Sequence, residues 1–354
     1  MMMESIGKLV EGRDLICSEA EELMSEIMSG KATEAQIAAF LTALRMKGEK
    51  AEEIAAFASV MRRFCTRIHP RVSEMLVDVV GTGGDRIKTF NISTTSAFVA
   101  AGAGTFIAKH GNRSVTSRSG SADLLEALGL NLKMTPSLVE KSIEEVGVGF
   151  MFAPTFHPAM KYAAGPRREI GIRTVFNLLG PLTNPAGAKA QLLGVYAESL
   201  TEPLAHVLDR LGVEQAMVVN GLDGLDEIST MGKTKVSLLR KGEISTLQLA
   251  PEDFGVRTAD RQDLEGSTSE GSALITYSIL NGKRCSDRSD PKNDIVLVNA
   301  AAAIYLGGKV ESIKEGMQIA AESIQSGSAY AKLKSLVKFS GGDMSKLEEL
   351  EKHA

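Results

Sequence analysis

Three glycines fall within five positions at Gly81-Thr82-Gly83-Gly84-Asp85, directly after an apolar run that ends at Val80. Glycine adopts positive φ without strain and carries no side chain, so this loop lets backbone N–H groups converge on an anion. Asn91, Ile92, Ser93 and Thr94 then add hydroxyls at what reads as a helix start, whose free N–H groups and positive dipole end favour phosphate. A second polar group, Lys109-His110-Gly111-Asn112-Arg113, follows the apolar run ending at Ala108, and hydroxyls continue through Ser114, Thr116, Ser117, Ser119 and Ser121. Two cations, unhindered backbone and short donors suit a diphosphate. The paired loops point to a ligand that carries phosphate at both ends.

A third group, Asp223-Gly224-Leu225-Asp226-Glu227, lies just beyond the apolar run ending at Val219. Carboxylate oxygens are what Mg²⁺ accepts, alongside waters and substrate phosphates. Adjacent acids cannot face one point from a regular strand, so this pair needs a loop or helix start to act together. Each motif also has a plain reading: a capped tight turn for the first loop, a solvated basic turn for the second and an acidic turn for the third. His110 titrates near neutrality in water, but no nearby nucleophile needs activating, which leaves packing as its simpler role. Arg167, Arg168 and Arg173 sit in a Gly/Pro-punctuated stretch, where they suit either a bidentate carboxylate clamp or interdomain ion pairs. What favours the ligand reading is shared placement: the first three groups follow strand C-termini, which share one ligand-binding rim in open α/β sheets.

Those strands must be held by the rest of the chain. Two capping-box patterns, Ser18 to Glu21 and Thr33 to Gln36, start helical runs that Gly30 and Gly48 stop. Ile37, Phe40, Leu41 and Leu44 recur at helical spacing, as do Ile54, Phe57, Ala58 and Met61. A small helical domain is expected, ending near His69-Pro70, where proline restricts the residue before it. From Met75, short apolar strands at 75–80, 105–108, 149–152, 192–196 and 216–219 alternate with helices at 93–101, 122–128, 137–146 and 202–211. Residues 235–249, around Lys241-Gly242, read as an antiparallel hairpin at a sheet edge. Beyond Ser272 the chain reads as mostly helix. Residues 156–185 break the alternation with four X-Pro punctuations and read as a non-sheet excursion or hinge. The expected class is α/β, a small all-helical domain plus a larger domain with a mostly parallel central sheet flanked by helices.

A length of 354 residues favours two domains, and a net charge of −4 argues against nucleic-acid binding. Cys17, Cys65 and Cys285 are three in number and never form C-x-x-C, which argues against disulfide or zinc frameworks. The first residues, with Glu4 and no long apolar run, predict neither a signal peptide nor a membrane span, and a cytoplasmic protein is expected.

Taken in order, GTGGD at 81–85, NIST at 91–94, KHGNR at 109–113, SGSAD at 119–123, GPRREIGIRTVFNLLGPLTNP at 165–185, DGLDE at 223–227 and VNAAAAIYLGG at 298–308 resemble the anthranilate phosphoribosyltransferase family, over nearly the whole chain. The resemblance implies a helical domain at 1–72, completed by about 166–188, and an α/β domain at 73–165 and 189–354. It implies a homodimer formed through the helical domains and Mg²⁺-dependent transfer of phosphoribosyl from phosphoribosyl pyrophosphate to anthranilate. By matching motif, Gly81, Gly84, Asp85, Thr89, Asn91, Ile92, Ser93, Thr94, Lys109, His110, Gly111, Asn112, Arg113, Ser114, Val115, Thr116, Ser117 and Ser121 would hold the donor. Gly81, Asn112 and Arg167 would contact anthranilate, and Ser93, Asp226 and Glu227 would serve Mg²⁺. The stretch 115–118 follows the family pattern only loosely. No general acid or base is implied, since an aromatic amine is already neutral at physiological pH. Rival readings are a pyrimidine nucleoside phosphorylase and a non-catalytic nucleotide-binding homologue. A dinucleotide oxidoreductase is disfavoured because the first loop lacks G-x-G-x-x-G spacing.

Overall fold

The structure, a computed structural model, describes residues 2–84, 87–114, 119–266, 268–282 and 290–353. Asp85, Val115, Thr116, Ser117 and Cys285, all named above, lie outside the described residues. The chain opens with four helices, α1 (Met2–Val10), α2 (Cys17–Met28), α3 (Glu34–Lys47) and α4 (Ala51–Phe64). The Thr33 box forms as expected: Thr33 Oγ1 accepts from the Gln36 N–H at 3.3 Å, and Gln36 Oε1 accepts from the Thr33 N–H at 2.9 Å. The Ser18 box does not form. Helix α2 begins earlier, so Ser18 sits inside its first turn, and Glu19 rather than Glu21 turns back to accept from the Ile16 N–H at 3.2 Å. Helix also ends at Phe64, short of His69-Pro70, because the chain turns extended at Cys65. The next N–H groups then pair elsewhere, Thr66 with the Phe156 carbonyl at 2.8 Å and Ile68 with that of Pro185 at 3.2 Å.

The remainder runs β1 (Leu76–Gly81), α5 (Ile92–Gly102), β2 (Phe106–Gly111), α6 (Ser121–Ala127), α7 (Pro136–Val146), β3 (Val148–Phe152), α8 (Ala153–Phe156), α9 (Lys161–Ile170), α10 (Phe176–Leu179), β4 (Ala190–Gly194), α11 (Thr201–Arg210), β5 (Gln215–Gly221), β6 (Thr234–Arg240) and β7 (Glu243–Leu249). Helices α12 (Ser269–Leu280), α13 (Pro291–Leu306), α14 (Ile313–Gln325), α15 (Ser328–Phe339) and α16 (Ser345–His353) close the chain. One seven-stranded sheet has the order β3-β2-β1-β4-β5-β6-β7. Its first five members are parallel, and β6 and β7 form the expected antiparallel edge hairpin. Lys241 and Gly242 turn that hairpin with φ of 52° and 82°, the left-handed pair a tight hairpin needs. Strand β4 starts two residues earlier than expected, pairing Ala190 with Val77 and Gln215. It stops at Gly194, and the Tyr196 N–H leaves the ladder to donate to Thr82 Oγ1.

Alternation along the strands divides two cores. Met217 and Val219 of β5 pack in a core with α5 and α13, while Ala216 and Val218 face a second core shared with α2, α3, α4 and α11. The excursion at 156–185 contributes to that second core, where Ala163, Val175, Phe176, Leu178, Leu179 and Leu182 are buried against the N-terminal helices.

Candidate active site

After β1 the chain adds β2 and β3 on one side of it, then returns to lay β4 and β5 on the other. The strand order therefore reverses between β1 and β4, and the crevice outside their C-terminal ends is where such sheets bind ligands. Gly81 and Gly194 are register partners at those two ends. A Cβ on Gly81 would lie 2.5 Å from Asp226 Oδ2, and one on Gly194 only 1.6 Å from the Asp226 carbonyl oxygen. Close approach, not positive φ, reserves both positions for glycine.

Asp226 and Glu227 come from the loop after β5, and they diverge. Asp226 Oδ2 accepts from the Gly83 N–H of the first loop at 2.8 Å, and Glu227 Oε1 accepts from the Ser93 N–H in the first turn of α5 at 3.1 Å. The loop is pinned from below by Asn299 of α13, whose amide donates to the Ile228 carbonyl at 3.0 Å and accepts from its N–H at 3.0 Å. Burial pushes the Asp226 carboxyl up, against the opposing pull of the Gly83 N–H and the Arg173 charge. The Asp226 carboxylate, the Glu227 carboxylate and the hydroxyl of Ser93, whose N–H Glu227 accepts, supply oxygen donors of the kind Mg²⁺ takes. Among the described residues no three His, Cys, Asp or Glu side chains cluster as a metal cage, so substrate oxygens and water would complete the shell.

The first loop and the start of α5 also hold buried polar atoms with no partner among the described residues, Asn91 Oδ1 and Thr94 Oγ1. Buried polar atoms are nearly always hydrogen-bonded, so these two at a helix start are available to water or a ligand. Thr89 stands at the margin of this region, bridged to Glu265.

The second group is built differently, because β2 does not end at Ala108 but runs on through Lys109, His110 and Gly111, pairing them with Phe150, Met151 and Phe152 of β3. Lys109 is buried, with Nζ donating to the Val79 carbonyl at 2.6 Å and to Ser93 Oγ at 3.3 Å. Arg113 is tied to its own side of the fold, Nη1 to Asp123 at 2.9 Å and to Glu126 at 2.7 Å. The His110 ring is buried 4.9 Å from that of His157. Burial, then the neighbouring imidazole, drives its pKa down to about 3, so it stays neutral. Ser121 Oγ donates to the Asn112 carbonyl at 3.3 Å, and Asp123 accepts from the Ser114 and Gly120 N–H groups at 2.9 Å each. Gly111 and Asn112 thus offer mainly backbone at the exit of β2.

Arg167 lies in the last turn of α9, with its guanidinium carbon 5.0 Å from the centre of the Phe176 ring. Burial lowers its pKa, and among the described residues its guanidinium makes no side-chain hydrogen bond or ion pair. Its donors are uncommitted, unlike those of Arg113. Hydrogen bonds join the first loop and α5 to the loop after β5, and among the described residues Arg167 makes no side-chain hydrogen bond to any of them. Gly194, Tyr196 and Asn299 were not singled out by the sequence, and Arg173, expected as a carboxylate clamp or an interdomain ion pair, instead donates to the Gly84 carbonyl. A glycine closing an apolar run at 190–194 was the available signal for the first of these; the other three depend on contacts more than twenty residues away.

A helical bundle domain model of the glycosyl transferase family matches residues 3–65, and the a/b domain model of that family matches residues 73–330. An anthranilate phosphoribosyltransferase of Acetivibrio thermocellus is 53% identical, over 98% of this chain and 98% of its own. The chain belongs to the anthranilate phosphoribosyltransferase family. The Moorella thermoacetica member is 54% identical over 95% of this chain and 98% of its own. The crystal structure of the Thermus thermophilus anthranilate phosphoribosyltransferase superposes with a TM-score of 0.88 at 43% identity, covering 95% of this chain and 99% of that one. The Saccharomyces cerevisiae anthranilate phosphoribosyltransferase, solved in complex with PRPP and Mg, gives a TM-score of 0.88 at 32% identity, covering 96% and 98%.

Proposed function

We propose that this chain transfers the 5-phosphoribosyl group of phosphoribosyl pyrophosphate to the amine of anthranilate, forming N-(5-phosphoribosyl)anthranilate and pyrophosphate in tryptophan biosynthesis. The observation that carries the reading is the divergence of Asp226 and Glu227, one onto the first loop and one onto the start of α5, at the crevice where the strand order reverses. The donor falls to Gly81, Gly84, Asn91, Ser93 and Thr94 on one side and to the backbone of residues 109–114 on the other.

Displacing pyrophosphate from the anomeric carbon builds negative charge on the leaving group and positive charge on the sugar. Mg²⁺ held by Ser93, Asp226 and Glu227 would offset the leaving-group charge. The positive dipole end of α5 adds a favourable field that is fixed before the reaction begins. Arg167, with free donors and a ring beneath it, suits the carboxylate of anthranilate, and Gly81 and Asn112 would stand against the same substrate. The amine needs no base before it attacks, so orientation supplies much of the remaining barrier reduction.

Residues 1–72 with about 166–188 form the helical domain in this reading, supported by the shared burial of residues 163–182 with α2, α3 and α4. A homodimer through that domain is supported by Met3, Val10, Ile16 and Met46, which are 78%, 72%, 64% and 84% exposed. The location is cytoplasmic, where a highly charged sugar phosphate is made and retained. Among the described residues no helix is long and apolar enough to cross a membrane.

The test is direct. Purified protein given Mg²⁺, phosphoribosyl pyrophosphate and anthranilate should consume anthranilate fluorescence, and with inorganic phosphate it should leave thymidine and uridine intact. Phosphorolysis without anthranilate consumption would replace this reading with a nucleoside phosphorylase.

A further inference from the structure

Two arginines of the stretch after α8 stack on aromatic rings, and the protein uses them differently. Arg167 over Phe176 keeps its donors uncommitted. Arg173 lies 4.4 Å over the Tyr196 ring, and its Nη2 donates to the Gly84 carbonyl of the first loop. Tyr196 is held in turn, since its N–H donates to Thr82 Oγ1 at 3.1 Å while the Thr82 N–H donates to the Gly194 carbonyl at 2.9 Å. Gly84 has φ of +78°, and a Cβ there would meet Arg173 Nη2 at 2.2 Å. One guanidinium therefore joins the first loop to the exit of β4 across the crevice.

We infer that Arg173 is a positioning residue for the donor: stacked on Tyr196, it clasps the Gly83-Gly84 backbone against Asp226 so that the first loop is ordered before phosphoribosyl pyrophosphate arrives. The inference rests on the transferase reading above. Its physical basis is entropy. A loop with three glycines has more backbone freedom to lose than one of the same length built from other residues, and a clasp that removes this freedom in the free protein takes the ordering cost out of donor binding. Arginine suits the place because a planar guanidinium stacks on a ring while one edge donates; a lysine ammonium can do either but has no planar face and edge to do both at once. Arg173 is itself exposed, so the clasp adds little to global stability, and its effect belongs in donor affinity.

Steady-state kinetics and thermal melts of the full chain, as wild type, Arg173→Lys, Tyr196→Leu, the double variant and Tyr196→Phe, test this. Each of the first two single variants should raise KM for phosphoribosyl pyrophosphate about ten-fold, with kcat and the anthranilate KM changed less than two-fold. The double variant should match the worse single variant, because both break one clasp, and Tyr196→Phe should behave as wild type because it keeps the ring. Melting temperatures should barely move without donor, and the upward shift on adding donor should shrink. Unchanged donor KM in Arg173→Lys overturns the inference, as does a purely additive double variant or a rise confined to the anthranilate KM. If Tyr196→Leu fails to fold, Arg173→Lys decides alone. A wild type that consumes no anthranilate sinks the functional reading; an active wild type with indifferent variants sinks only the clasp.

Discussion

The two anion loops look alike as sequence and are built in opposite ways. The first, after β1, carries no lysine or arginine at 81–84 and is shaped by what packs on it: Asp226 over Gly81 and Gly194, Arg173 on Gly84. The second carries cations, but Lys109 lies inside β2 with its ammonium on the Val79 carbonyl and Ser93 Oγ, and Arg113, beyond the strand, is paired with Asp123 and Glu126. Charge in a motif is therefore a poor guide to charge offered to a ligand. The first loop borrows its electrostatics from distant elements, whereas the second spends its own on holding the fold. Substitutions at the first should damage chemistry, and those of the His110 and Arg113 side chains at the second should show in stability.

The largest expected effect is at Gly194. An added methyl would lie 1.6 Å from the Asp226 carbonyl oxygen, and backbone there must move, carrying the acidic loop with it. Gly194→Ala should lower kcat/KM by about 100-fold, the scale of a one-ångström misplacement. A variant that keeps its far-ultraviolet circular dichroism and near wild-type kcat/KM would show that Asp226 need not sit over β1 and β4.

A smaller effect separates the second loop. His110 has its pKa driven from 6.5 to about 3 by burial, so below pH 6.5 the unfolded chain takes up a proton that the folded chain refuses. Stability is thus lost as pH falls from 6.5 towards 3, by about 1.4 kcal/mol per pH unit for this one group. His110→Gln removes that loss. In urea denaturation the variant should gain about 2 kcal/mol relative to wild type between pH 7 and pH 5. A constant difference across that range would mean the ring is hydrated and free to take part in binding.

Much of this was legible from residue order. The strands expected at 75–80, 105–108 and 216–219, the hairpin at Lys241-Gly242 and the Thr33 capping box follow from local chemistry and are all present, although the three strands run on to Gly81, Gly111 and Gly221. The Ser18 box failed because two acids, Glu19 and Glu21, competed for one helix start, and local pattern does not say which turns back. Proline at position 70 looked like the end of the helical stretch, yet the Phe156 and Pro185 carbonyls, far along the chain, drew the backbone out of helix first. Helices within 156–185 were hidden by four prolines, because α9 accommodates Pro166 in its interior. The clasp through Arg173 joins residues 84, 173 and 196, and Asn299 reaches back to Ile228. Partnerships of that range leave no spacing to read.

The central claim is that one crevice transfers the ribosyl group directly between two substrates. Measuring pyrophosphate release together with anthranilate consumption, in Mg²⁺ and saturating phosphoribosyl pyrophosphate, tests it most directly. The account predicts one pyrophosphate for each anthranilate lost, and no release above background when anthranilate is left out. Pyrophosphate released at the same rate without anthranilate would contradict it, as would anthranilate lost with no pyrophosphate formed.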